Sequence, residues 1–288
     1  MSFRKLSEIV EMADRKNKEF WEPIIEEDMK ERNVSFAESF ETMRQMLHAM
    51  KEADRGYDPL LRSASKISGG DGAKMEEFRK NGTSLAGDFI LLVMEKAIKM
   101  GESNACMKRI VAAPTAGSCG VIPAVLLSYE EEKKVPEERL VEALFVAAGI
   151  GEVLANSASI SGAEGGCQAE IGSASAMAAG AVTYLEGGDS QSIVHAAALA
   201  LKNMLGLTCD PVGGLVEVPC IKRNVSGAVN AITSSQLALA GIKSAIEPDE
   251  VIDSMRRIGK LIPECLKETA KEGLAITPSA LRAIKISS

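Results

Sequence analysis

Aromatic residues make up only 4% of this 288-residue chain, and histidine occurs twice, at His48 and His195. With alanine abundant and strict apolar/polar alternation hard to find, that poverty argues against a sheet-based core and predicts an all-α fold. Dense basic runs are also missing, and a net charge of -7 with a pI near 5.2 excludes a nucleic-acid-binding surface. No uninterrupted apolar run reaches membrane-spanning length, and the opening MSFRKLSEIVEMADRK is charged throughout, unlike a secretory signal. A cytoplasmic protein is therefore expected, without membrane or nucleic-acid partners. Its six cysteines are then expected to be reduced. They include no C-x-x-C step, so neither a usual structural zinc site nor a ferredoxin-like ligand run is present. Cys106 and Cys265, isolated in helical text, read as plain buried thiols.

What is present is helical punctuation. SFAESFETMRQMLHAMKEADRG carries a capping box in Ser35 and Glu38, then Phe40, Met43, Leu47 and Met50 at helical spacing, with Gly56 as the stop. Further helices are expected from Ser84 to Met100 with Gly101 as terminator, from Pro136 onward, from Ser190 to Leu205, from Ser226 to Ile246, and from Asp249. Charge divides the chain. Residues 1–55 are crowded with Lys, Arg, Asp and Glu, whereas no Lys or Arg occurs between Arg139 and Lys202. The expectation is one domain over residues 1–288, in which 1–60 form a solvated, amphipathic helical front. Residues 61–288 would then form an Ala-rich core, since SASAMAAGA and HAAALAL let helices approach closely.

Four glycine-rich stretches interrupt that core: SASKISGGDG, APTAGSCG, SISGAEGGCQAE and LTCDPVGGLVEVPC. Loops inside such a core must satisfy their own peptide groups, and convergence on a polar ligand or cofactor is an economical solution. Three of them carry Cys119, Cys167, and the pair Cys209 and Cys220. Spacings this long require the tertiary fold to assemble any site. A metal or iron–sulfur site is one reading; inert buried thiols are the other.

SGAEGGCQAE, LTCDPVGGLVEVPC with the following IKRN, SGGD, and PTAGSCGVIPAVL together resemble the α chain of the iron–sulfur-dependent L-serine dehydratases, over about Ile67 to Ile246. The resemblance implies a mainly helical catalytic domain and a [4Fe–4S] cluster held by Cys167, Cys209 and Cys220. One iron would lack a protein thiolate and act as a Lewis acid on the serine hydroxyl, in a reaction yielding pyruvate and ammonia. It also implies that the amino-acid part of the substrate is received by Ser68, Gly69, Gly70 and Asp71, and by Thr115, Ala116, Gly117 and Ser118. Backbone amides there would meet the carboxylate, and Asp71 could take the ammonium. Ala116 departs from relatives that have asparagine. Cys119, beside that loop, reads as a pocket-lining thiol rather than a fourth ligand.

The general base is not found. His48 reads as a surface residue and His195 as a core histidine, a weak candidate. In two-chain members the β chain contributes a Ser-rich histidine motif that is absent here, so a β-chain partner is implied. Two rivals remain. A pyridoxal-phosphate-dependent dehydratase is suggested by Lys66 before a Gly-rich loop, but needs an α/β fold. A non-catalytic iron–sulfur scaffold or electron carrier would use Cys119 as a fourth thiolate.

Overall fold

A computed structural model describes residues 3–82 and 84–287. Among them are thirteen α-helices and no strand. In chain order these are α1 (Leu6–Lys16), α2 (Trp21–Arg32), α3 (Phe36–Arg55), α4 (Asp71–Asn81), α5 (Gly87–Ala105), α6 (Val121–Lys133) and α7 (Glu137–Ser157). There follow the single turn α8 (Gly162–Gly165), α9 (Ser173–Leu185), α10 (Ser190–Lys202), α11 (Cys220–Leu239), α12 (Pro248–Leu261) and α13 (Pro278–Ser287).

Small side chains set the centre. Every side chain of α9 from Ser173 to Tyr184 is buried, and the helix packs against α6, α7, α10 and α11. Alanine and glycine permit that approach: a Cβ on Gly180 would fall 2.2 Å from Ile150 Cδ1 of α7. Burial of Leu140, Ile150 and Leu154 along α7 leaves none of their surface in water, each worth roughly 1.5–3 kcal/mol. By length and composition α7 could cross a membrane, but 67% of its apolar window is buried inside the protein, as in a core helix.

The front is less superficial than its charge suggests. Leu6, Ile9, Val10, Trp21, Ile24 and Ile25 of α1 and α2 belong to the same core cluster as α9, so only one face of these helices is solvated. Asp249 of α12 accepts hydrogen bonds from Leu6 N and Ser7 Oγ at 2.7 Å each, which satisfies the start of α1 from the far end of the chain. The capping box of α3 is formed, with Ser35 N donating to Glu38 Oε2 at 2.8 Å.

Four expected boundaries, on three helices, are corrected. α5 runs through Gly101 to Ala105, because this glycine is a packing site: a Cβ there would lie 3.2 Å from Ile221 Cγ2 of α11. α11 begins at Cys220, not Ser226, and ends at Leu239, before the left-handed Gly241 (φ 83°). Pro136 stands at the cap of α7 rather than inside its first turn.

Candidate functional site

Cys167 follows α8 and precedes a five-residue π-helical turn, Gln168–Gly172, that leads into α9. The glycine before it, Gly166, has φ 77°, and a Cβ there would lie 2.8 Å from Leu207 O. That close approach joins two cysteine loops. Gln168 N donates to Leu207 O at 3.0 Å, and Gly206 N donates to Gln168 Oε1 at 2.9 Å. Cys209 is fixed by its N–H to Leu266 O (2.8 Å) and by Glu268 N to its own carbonyl (2.7 Å). Val212 N to Val218 O, 2.8 Å, closes the loop onto Cys220, the first residue of α11.

The three thiols are buried, at 2%, 3% and 8% exposure for Cys167, Cys209 and Cys220. They share one neighbourhood: burial raises the Cys209 thiol first, followed by the charges of Cys167, Glu170 and Cys220. Burial pushes Cys167 up to about 11 and Cys220 up to about 12. Arg223, one helical turn after Cys220, is the basic group whose charge acts on Cys167 and Cys220, and it donates to Thr208 O at 2.7 Å and Asp210 Oδ1 at 3.0 Å. Among the described residues no three His, Cys, Asp or Glu side chains form a group able to hold a single metal ion. A cubane makes no such demand, because it spreads its thiolates over separate iron corners. The donor set is soft, water-excluding and adjacent to a guanidinium, and so fits an iron–sulfur cluster, whose direct bonds would hold buried thiols as thiolates.

Glu170, in the π-helical turn, joins this group to the PTAGS loop. Its Oε1 accepts from Thr115 Oγ1 at 2.8 Å, and Cys209 Sγ lies 3.9 Å from its Oε2. Cβ atoms on Gly117 and Gly162 would come within 3.1 Å and 2.7 Å of its carboxylate oxygens, so two glycine backbones clasp it. Burial, opposed by the Thr115 hydrogen bond, holds its carboxyl above the ordinary carboxylate range. Asn224, buried one turn into α11, donates to Gly117 O at 2.8 Å and accepts from Gly120 N at 2.8 Å, fixing the same loop. Ser118 is buried, and Ala116 is exposed. Asn104 donates to Ala116 O at 3.1 Å, so a carboxamide stands at this turn although residue 116 carries none.

The SGGD loop reaches the group through Glu217, a buried carboxylate three residues before Cys220. It accepts from Ser63 Oγ at 2.7 Å and Ser65 Oγ at 2.8 Å. Ser68 is buried and donates its N–H to Ser63 Oγ at 3.3 Å. Gly69 and Gly70 have φ 127° and 83°, and a Cβ on Gly69 would meet Leu61 O at 2.3 Å, so only glycine fits there. The amides opening α4 are already used: Asp71 N and Gly72 N donate to the buried Glu102 carboxylate at 2.8 and 3.1 Å. Asp71 itself pairs with Lys222 at 2.6 Å and Lys74 at 2.9 Å, which hold its carboxyl below its ordinary range.

Other residues singled out in the sequence lie apart. Cys119 is the exception in part: its Sγ faces Met100 O at 3.9 Å and packs with Ala53 and Met100, while the Cys220 charge acts on it. Lys66 is exposed with φ 62°. His48 is on the surface, 3.0 Å from Glu137 Oε1. His195 is buried among charged neighbours Lys243, Glu247, Lys202 and Asp189, none of them a site residue. Glu170, Arg223, Asn224 and Glu217 were not foreseen. Placing the start of α11 at Cys220 would have put Arg223 and Asn224 on the cysteine's own face, at i+3 and i+4.

A family model for the serine dehydratase alpha chain matches residues 15–275. The chain is 44% identical over 278 residues to a probable L-serine dehydratase alpha chain of Bacillus subtilis, covering 96% of this chain and 92% of that protein. It is 38% identical over 271 residues to the L-serine dehydratase alpha chain of Peptoniphilus asaccharolyticus, covering 93% and 92%. The L-serine dehydratase TdcG of Escherichia coli is 44% identical over 182 residues, which are 62% of this chain and 40% of that protein. Matched along most of its length by the family and by relatives of similar size, the chain belongs to the serine dehydratase alpha chain family.

Proposed function

We propose that this chain is the cluster- and substrate-binding subunit of a cytoplasmic L-serine dehydratase, a lyase forming pyruvate and ammonia from L-serine together with a β chain. The observation that carries the reading is that Glu170 bridges Cys209, one of three buried thiols, to Thr115 of the PTAGS loop. Cys167, Cys209 and Cys220 would hold a [4Fe–4S] cluster, which on three protein thiolates supplies one iron as a Lewis acid for the substrate hydroxyl.

The chain's own residues shape the surroundings. Arg223 offsets negative charge at the thiolates, from a position fixed by Asp210 and Thr208 O. Glu217 and Asn224 fix the two loops that receive the amino acid, so little loop entropy is left to lose on binding. Neither histidine stands at the thiols, and a base contributed by the β chain would complete the site.

Co-expression with the β chain without oxygen, then iron and sulfide analysis and a pyruvate assay, tests the reading. The expected product is a pyruvate-forming complex with about four irons and four sulfides per α chain. A pyruvate-forming but iron-free complex that loses activity on replacing Lys66 would instead favour pyridoxal phosphate.

A further inference from the structure

A free α-amino acid brings two charges into a pocket, and its ammonium needs an anion there. Asp71 is poorly suited. Its two oxygens already answer to Lys222 and Lys74. Glu102 is spent on Tyr57 and the first amides of α4, and Glu217 on Ser63 and Ser65. Asp210 is held by Arg223 and Leu274 N.

Glu170 shares with Glu102 and Glu217 the lack of an ion pair among the described residues, but of these carboxylates it alone joins a cysteine thiol to the PTAGS loop. Its hydrogen-bond partners are a threonine hydroxyl and a cysteine thiol. No Lys, Arg or His pairs with it among the described residues. A largely enclosed carboxylate without a counter-ion is costly to keep unless a ligand supplies the missing positive charge. The π-helical turn that carries it also fits, because such turns recur where a helix gives up regular bonding to aim a functional group.

We infer that Glu170 is the receptor for the substrate ammonium group, with Thr115 Oγ1 orienting its carboxylate. The glycines at 117 and 162 leave its oxygens unobstructed by side chains of their own. The inference rests on the dehydratase reading above and adds the residue that recognises an amino acid as such.

The test compares two ligands on the anaerobic α–β complex by calorimetric titration. L-Serine carries the ammonium; 3-hydroxypropanoate has the same hydroxyl and carboxylate without it. Replacing Glu170→Gln is expected to weaken serine about 30- to 100-fold, the loss of a charge-assisted bond, and to change 3-hydroxypropanoate about twofold or less. Iron and sulfide content should stay unchanged. Thr115→Val should act in the same direction, about 3- to 10-fold on serine alone. Equal weakening of both ligands, or no weakening of either, overturns the inference. So does loss of iron from the Glu170→Gln complex, which would make Glu170 part of the metal cradle. Should that variant not fold, the serine-to-analogue ratio of Thr115→Val decides alone. An unsubstituted complex that holds no iron and forms no pyruvate sinks the dehydratase reading instead.

Discussion

Glu170 and Arg223 define the site's electrostatics with opposite consequences: the guanidinium is compensated within the chain, whereas the carboxylate awaits a cation. The cysteines divide in a similar way. Cys167 sits against Arg223 and Cys209 against Glu170, while Cys119 sits against Met100 O in apolar packing. Replacing Cys167→Ser should therefore remove most of the iron with little change in thermal stability of the metal-free chain. Cys119→Ala should keep the iron and cost about 1 kcal/mol, the price of a small buried side chain. Iron analysis beside thermal unfolding reads both, and iron loss from Cys119→Ala would restore it as a ligand. The cysteine trio is a proposal that sequence alone can make, because its long glycine-rich motifs resemble a family. Glu170 could not, since a glutamate three residues after a cysteine reads as one more exposed helical residue until the π-helical turn and Thr115 place it.

Among the elements, glycine misleads most when it is used for packing rather than for turning. Gly101 reads as a stop in the sequence and is a helix contact in the fold. Gly259 of α12 shows the same use beside the site: a Cβ there would lie 3.0 Å from Gly165 Cα, in the turn of α8 that leads to Cys167. Both atoms belong to rigid backbone or its first substituent, so relief requires moving a helix. Gly259→Ala should destabilise by about 1–2 kcal/mol net, overpacking exceeding the gain in helix propensity. It should also lower iron retention, because α8 carries the displacement to Cys167. Unchanged stability and iron content would show that α12 yields freely. Capping residues were legible where their chemistry is local, as in Ser35 and Glu38. The start of α1 was not, because its cap, Asp249, comes from α12.

The molecule as a whole buries its least charged third between helices whose outer faces carry the ion pairs. His195 belongs to that interior rather than to the site. Its pKa lies below its ordinary value of 6.5, first through burial and then through Lys243 and Lys202, opposed by Glu247 and Asp189. A folded value below the unfolded one means the unfolded chain takes up the proton first, so this contribution to stability is complete above about pH 6.5 and fades as pH falls. The unfolding midpoint of the wild type should drop more than that of His195→Gln between about pH 7.5 and 5.5. Parallel curves would mean that the fold tolerates the imidazolium.

Composition and periodicity were enough for the all-α class, the buried Ala-rich centre and the capping of α3, because each follows from chain-local preferences: propensity, the 3.6-residue repeat and side-chain volume. Motif resemblance was enough for the family. Pairing decided the rest: which carboxylates find a cation, which amides are already bonded, and which glycines turn the chain or let a neighbour in. Those outcomes depend on residues tens to hundreds of positions apart, such as Lys222 beside Asp71 and Thr115 beside Glu170, and only the packed helices bring them together.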